Sequence, residues 1–133
     1  MTEKTFKACD ETLNEALSLV EEVLVANGSS MKTVMQITVC VEEMYVNVAH
    51  YAYGENEGEV TLSVDVTDGV ASITLTDSGM PFDPLKKADP DISLSAEERS
   101  IGGLGIYMVK KSMDEVFYTR ENEKNIFTMK KKI

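Results

Sequence analysis

Glu43 and Asn47 stand one helical turn apart in VMQITVCVEEMYVNVAHYAY, where with Gln36 and His50 they make the polar stripe of an otherwise apolar segment. At about 100° per residue these four positions fall within roughly 60° of one another. A carboxylate and an amide set among apolar neighbours suit a wall facing a cleft, or else the thin solvent stripe of an amphipathic helix. A second cluster, Asp77-Ser78-Gly79-Met80-Pro81-Phe82-Asp83-Pro84, follows a strand-like run. It puts an acid at a strand end beside a glycine that lets backbone approach a ligand closely. The third, Gly102-Gly103-Leu104-Gly105, opens a helical pattern whose free N–H groups and positive dipole end suit phosphate oxygens. No GxxxxGK[ST] is present and these glycines follow a loop, which rules out P-loop and Rossmann contexts.

The elements that must position these clusters are legible from periodicity. Glu3 to Ala8 reads as a short edge strand, and Asp10 or Thr12 as the cap of a helix. Leu13, Ala16, Leu17, Val20, Val23 and Leu24 give that helix one apolar face, ended by Asn27-Gly28. Ser29 or Ser30 begins the long central helix, expected to run unbroken through Val34 to Tyr53 and stop at Gly54. Val60, Leu62, Val64 and Val66 alternate with polar residues, and Asp68-Gly69 signals a type I′ hairpin returning through Val70 to Thr76. From Ser78 to Gly103 periodicity fails and all three prolines occur, a length of irregular chain that is usually functional. A helix from Leu104 to Ser112 and an antiparallel pair, Glu115 to Arg120 and Asn125 to Lys131, close the chain, with Glu121 to Lys124 as the turn. The order β-α-α-β-β-loop-α-β-β predicts a two-layer α+β sandwich, a mixed and mainly antiparallel sheet with the helices on one face.

Composition narrows the function classes. At 133 residues the chain is one domain in size and can bury roughly two thirds of its unfolded surface. Thirteen basic residues against 23 acids give a net charge of -10, which opposes direct binding of nucleic acid or an anionic membrane and favours a protein partner with basic patches. Cys9 and Cys40 have neither Cys-x-x-Cys spacing nor a histidine cluster around them, so neither a disulfide framework nor a cysteine-histidine metal site is predicted. The N-terminus lacks the apolar core of a signal peptide, and no apolar run reaches about 18 residues; a cytoplasmic protein is expected.

Taken in order, Glu43-x-x-x-Asn47, Asp77-x-Gly79-x-Pro81-Phe82-Asp83-Pro84 and Gly102-Gly103-Leu104-Gly105-Ile106 resemble the N, G1 and G2 boxes of the GHKL (Bergerat-fold) ATPases. This is the superfamily of DNA gyrase, heat-shock chaperones, histidine kinases and mismatch-repair proteins. The short form with AHYAY after the first box and GGLGIYMV after the loop is most similar to the bacterial anti-sigma-factor serine/threonine kinases, from about Leu13 to Lys131. The resemblance implies a single ATP-binding domain over 1–133, with a lid at about 85–101 and ATP and Mg²⁺ as cofactors. Asn47 would give its amide oxygen to Mg²⁺, and Glu43 would be the general base. Asp77 would accept from the adenine amino group, with Gly79 leaving the base room and Thr128, inward on the last strand, joining the same water network. Gly102, Gly103, Leu104 and Gly105 would close over the phosphates, with backbone amides at Gly103 and Gly105 reaching them. Arg99 and Lys87 could reach the γ-phosphate. One departure stands out: the related kinases commonly carry histidine four residues after the N-box asparagine, and here that position is Tyr51, with the histidine at His50.

Two function classes follow from the resemblance. An enzyme would phosphorylate a serine or threonine of a STAS-domain anti-anti-sigma protein and sequester a sigma factor, acting as one copy or as a homodimer. A binding module would use ATP or ADP only to set the shape of its lid. An intact Glu43 favours the enzyme.

Overall fold

Strict apolar/polar alternation builds the sheet. The computed structural model describes residues 1–86 and 103–133, so Lys87, Arg99, Gly102 and most of the expected lid lie outside the described residues. Strands β1 (Thr2–Lys7), β2 (Glu59–Thr67), β3 (Val70–Asp77), β4 (Glu115–Glu121) and β5 (Lys124–Lys132) lie in the order β1-β2-β3-β5-β4. Where a mixed sheet was one expectation, every neighbouring pair is antiparallel. The β2–β3 turn is the expected one, with Asp68 and Gly69 both left-handed at φ 52° and 75°. The β4–β5 turn uses the same region at Asn122 and Glu123, φ 52° and 63°, without any glycine.

Register decides which residues face the helices. Phe6, Val60, Asp77 and Asn125 stand in one row across β1, β2, β3 and β5. The next two rows are Leu62, Leu75 and Phe127, then Val64, Ile73 and Met129. All of these are buried, and among the described residues Asp77 and Asn125 are the buried polar ones. With a period of two, the opposite face receives Thr61, Thr76, Thr74 and Thr128.

Three helices cover the buried face. Helix α1 (Leu13–Ala26), entered through a 3₁₀ turn at Asp10–Thr12, buries Ala16, Val20 and Leu24 and ends before Gly28, left-handed at φ 83°. Helix α2 (Met31–Asn47) starts where Ser30 Oγ accepts the Thr33 N–H at 3.3 Å. It buries Val34, Ile37, Cys40, Val41, Met44 and Tyr45, and packs between α1 and α3 (Gly103–Ser112). Its third face stays at the surface, and Met31, Met35 and Val39 are 57%, 63% and 52% exposed despite their apolar character. Tyr45 is fully buried, its hydroxyl 2.5 Å from Thr12 Oγ1, and burial pushes its phenol above the ordinary value. Cys40 is a free, buried thiol that burial likewise pushes up. Among the described residues no helix is long and apolar enough to cross a membrane.

The central helix departs from expectation at its end. Instead of continuing to Tyr53, it opens into a π turn over Val48–Ala52. A wider turn rotates every later side chain relative to an α-helical wheel. His50 therefore leaves the stripe of Glu43 and Asn47, and its Nε2 lies 2.8 Å from Asp10 Oδ1, half exposed. Tyr51 takes its place at the cavity described next.

Candidate functional site

A cavity of about 400 Å³ opens where the end of α2 faces the ends of β3 and β5. Met44, Val48, Leu75, Ile106 and Phe127 make its wall largely apolar, while Asn47, Asp77, Tyr118 and Asn125 supply the polar groups. Such a lining, mostly apolar with a few polar groups, suits a small ligand oriented by directed hydrogen bonds.

Asp77 ends β3 and is only 7% exposed. Its Oδ1 accepts the Gly79 N–H at 2.9 Å and the Asn125 Nδ2–H at 3.0 Å. Among the described residues Oδ2 has no protein partner, so it is left to accept from a ligand. Gly79 is required by the chain itself: a Cβ there would run into the backbone carbonyl of Ala52, whose oxygen also accepts the Met80 N–H at 2.8 Å. The room that glycine provides is thus used by the end of the π turn, which it laces to the strand end to close one cavity wall. Gly79→Ala should therefore cost about 1–3 kcal/mol, because backbone and not a flexible side chain must give way. Urea unfolding at equal slope, with the midpoint lowered, is the expected reading.

Asn47 lines the cavity from the last turn of α2. Its Nδ2 donates to the Glu43 carbonyl at 2.9 Å, which fixes the amide and leaves Oδ1 as its acceptor. A neutral oxygen ligand of that kind fits Mg²⁺, a hard cation that keeps most of its waters and takes few protein ligands. Among the described residues the cavity lining holds no lysine or arginine.

Glu43 lies one turn earlier, exposed and beside the cavity wall. It meets α3: a Cβ on Gly105 would collide with the Glu43 carboxylate. The missing side chain lets the first turn of α3, the positive end of its dipole, approach that carboxylate. The first and third clusters of the sequence are thereby brought together. Gly105→Ala should displace the flexible carboxylate end without breaking the fold, and an alanine in a helix gains up to about 1 kcal/mol over glycine. We expect a melting temperature unchanged or raised.

Thr128 is corrected by the structure. Expected to point inward, it lies on the sheet face away from the helices, with its hydroxyl 3.1 Å from Thr74 Oγ1. The reason is phase: Phe127 and Met129 are buried on either side of it, and alternate residues cannot share a face. The polar strand residue that does reach Asp77 is Asn125, which the sequence reading passed over along with Tyr118 and Arg120. An asparagine in phase with Phe127 and Met129 was the available signal, since a polar group at an inward position needs a partner. Leu104 and Gly103 stand in the first turn of α3; Gly102, Arg99 and Lys87 lie outside the described residues.

A profile of the histidine kinase-like ATPase domain matches residues 6–131, nearly the whole chain. The chain belongs to that family. The GHKL resemblance of its three boxes and the α+β sandwich both hold. Among curated proteins it is similar to the serine-protein kinase RsbW of Listeria monocytogenes, 28% identical over 94 residues, covering 67% of this chain and 60% of that one. It is similar too to the serine/threonine-protein kinase BtrW of Bordetella bronchiseptica, 23% identical over 119 residues, covering 89% of this chain and 84% of that one. The chain thus spans about 60% of the length of the Listeria relative. Its fold matches the crystal structure of the RsbU and RsbW domains of Rv1364c from Mycobacterium tuberculosis with a TM-score of 0.65 at 12% identity, over 99% of this chain and 32% of that one. Within this histidine kinase-like ATPase family the chain is RsbW-like.

Proposed function

We propose that this protein binds ATP with Mg²⁺ and transfers the γ-phosphoryl group to a serine or threonine of a STAS-domain anti-anti-sigma protein, sequestering a sigma factor when that antagonist is modified. The observation that carries the reading is that Asn47 and Asp77 line one cavity, with Glu43 one helical turn before Asn47 and against the first turn of α3, in a family whose RsbW and BtrW relatives are named protein kinases. The chain acts as a single ATP-binding unit over 1–133, with residues 85–101 as its lid.

The surroundings of each residue support the part it takes in this reading. Asp77 Oδ2, the unpaired acceptor of a buried carboxylate, receives the exocyclic amino group of adenine, and the apolar wall receives the ring. Asn47 Oδ1 holds Mg²⁺, whose contribution when bound is to neutralise phosphate charge. The backbone N–H groups opening α3 would hold the phosphates. Glu43 takes the proton of the partner's hydroxyl as that oxygen bonds to the γ-phosphorus and the bond to the bridging oxygen breaks, releasing ADP. A serine hydroxyl is a weak nucleophile at neutral pH, so a positioned carboxylate is the group this chemistry requires.

The test is incubation with γ-labelled ATP, Mg²⁺ and a STAS-domain protein encoded beside this one. Label on a serine or threonine of that protein is the expected result. Nucleotide binding with no label on any protein would replace the kinase with a module that uses ATP only to hold or release its partner.

A further inference from the structure

Beside Asp77, Asn125 and Tyr118 line the same cavity and Arg120 stands against Asn125, polar groups to which the proposed chemistry gives no part. Asn125 is 6% exposed, and its amide is surrounded on both ends. Oδ1 accepts from Tyr118 O–H at 2.6 Å, Arg120 Nη1–H at 3.1 Å and, more distantly, Phe82 N–H at 3.4 Å. Nδ2 donates to Asp77 Oδ1 at 3.0 Å and to the Met80 carbonyl at 2.7 Å. Turned over, the amide would set oxygen against a carboxylate and a carbonyl, and N–H₂ against its present donors.

The three donors do not resist that inversion equally. A tyrosine hydroxyl rotates and accepts as readily as it donates, and the Phe82 contact is long. A guanidinium has only donors. Arg120 is therefore the group that makes the amide one-way. Its other bonds hold it there: Nη1 also donates to the Gly79 carbonyl at 3.0 Å, and Nη2 to the Glu123 carbonyl at 3.2 Å, in the turn where Asn122 and Glu123 are both left-handed.

We propose that Arg120 is a positioning residue for base recognition, holding Asn125 so that its N–H₂ saturates Asp77 Oδ1 and only the acceptor Oδ2 is left to read a 6-amino purine. The inference rests on the adenine reading of the cavity. With the amide free to invert, Asp77 loses a donor and faces a second acceptor, and selection of an amino group over a 6-oxo group weakens.

The experiment compares affinities for ATP and inosine 5′-triphosphate by calorimetry in Mg²⁺, for the full chain and its variants. The wild type should prefer ATP. Arg120→Gln, whose amide accepts as well as donates, should lower that preference by about tenfold or more, the scale of one mismatched buried hydrogen bond. Arg120→Lys, donor-only like arginine, should keep most of it. A packing role would weaken both nucleotides together and leave the ratio alone. Should Arg120→Gln not fold, Asn125→Asp, which removes the N–H₂ itself, should show the same loss. An unchanged ratio in a folded Arg120→Gln or Asn125→Asp variant overturns the assignment to Arg120 while leaving the adenine reading intact. No preference in the wild type overturns both.

Discussion

Glu43→Gln should leave ATP affinity within about twofold of the wild type and lower phosphotransfer by about 10²–10⁴-fold, the usual range for loss of a general base. The expectation of intact binding comes from position: Glu43 is exposed and is not among the residues lining the cavity, so it makes no contact with the base-binding wall. Glutamine has the same length and fits the same space against Gly105, so α3 keeps its approach. What it loses is the ability to take a proton. Calorimetry gives the affinity and labelled transfer to a STAS-domain protein gives the rate. Undiminished transfer would remove Glu43 as the base.

Asn47→Ala should abolish the dependence of nucleotide binding on Mg²⁺, lowering affinity in the presence of the metal by at least about 100-fold, since even outer-shell partners of metal sites cost 10–100-fold. The fold should survive. The amide's protein bond is one contact to the Glu43 carbonyl from a half-buried side chain, worth about 1 kcal/mol. ATP titrations with Mg²⁺ and with EDTA should coincide for the variant and differ for the wild type. If the variant still binds more tightly with the metal, Asn47 is not its ligand. The two variants separate cleanly, one losing rate without affinity and the other losing affinity through the metal.

Side-chain chemistry that acts within a few residues was readable from sequence alone. Asp68-Gly69 forces its hairpin, Ser30 caps α2, and Gly28 ends α1, because each acts on backbone no more than about a turn away. The three boxes were visible for the same reason, as was the spacing of Glu43 and Asn47 on one helix. Phase along β5 was equally available, and it excluded Thr128 from the interior.

Other features required the folded chain. The insertion of β5 between β3 and β4 brings Asn125 beside Asp77, 48 positions away in sequence, and makes the pair the polar end of the sheet's buried face. The π turn sends His50 to Asp10 and Tyr51 to the cavity, a rotation that an ideal helical wheel does not contain. Gly79 and Gly105 looked like glycines for a ligand, yet the atoms that a side chain at them would meet belong to Ala52 and Glu43. Sequence by itself determined the elements, their faces and the kinds of group the site holds, because propensity and periodicity are local. Tertiary structure alone decided which carboxylate oxygen stays unpaired and which arginine stands behind it, because a buried polar group is satisfied by whatever the fold carries to it from a distance.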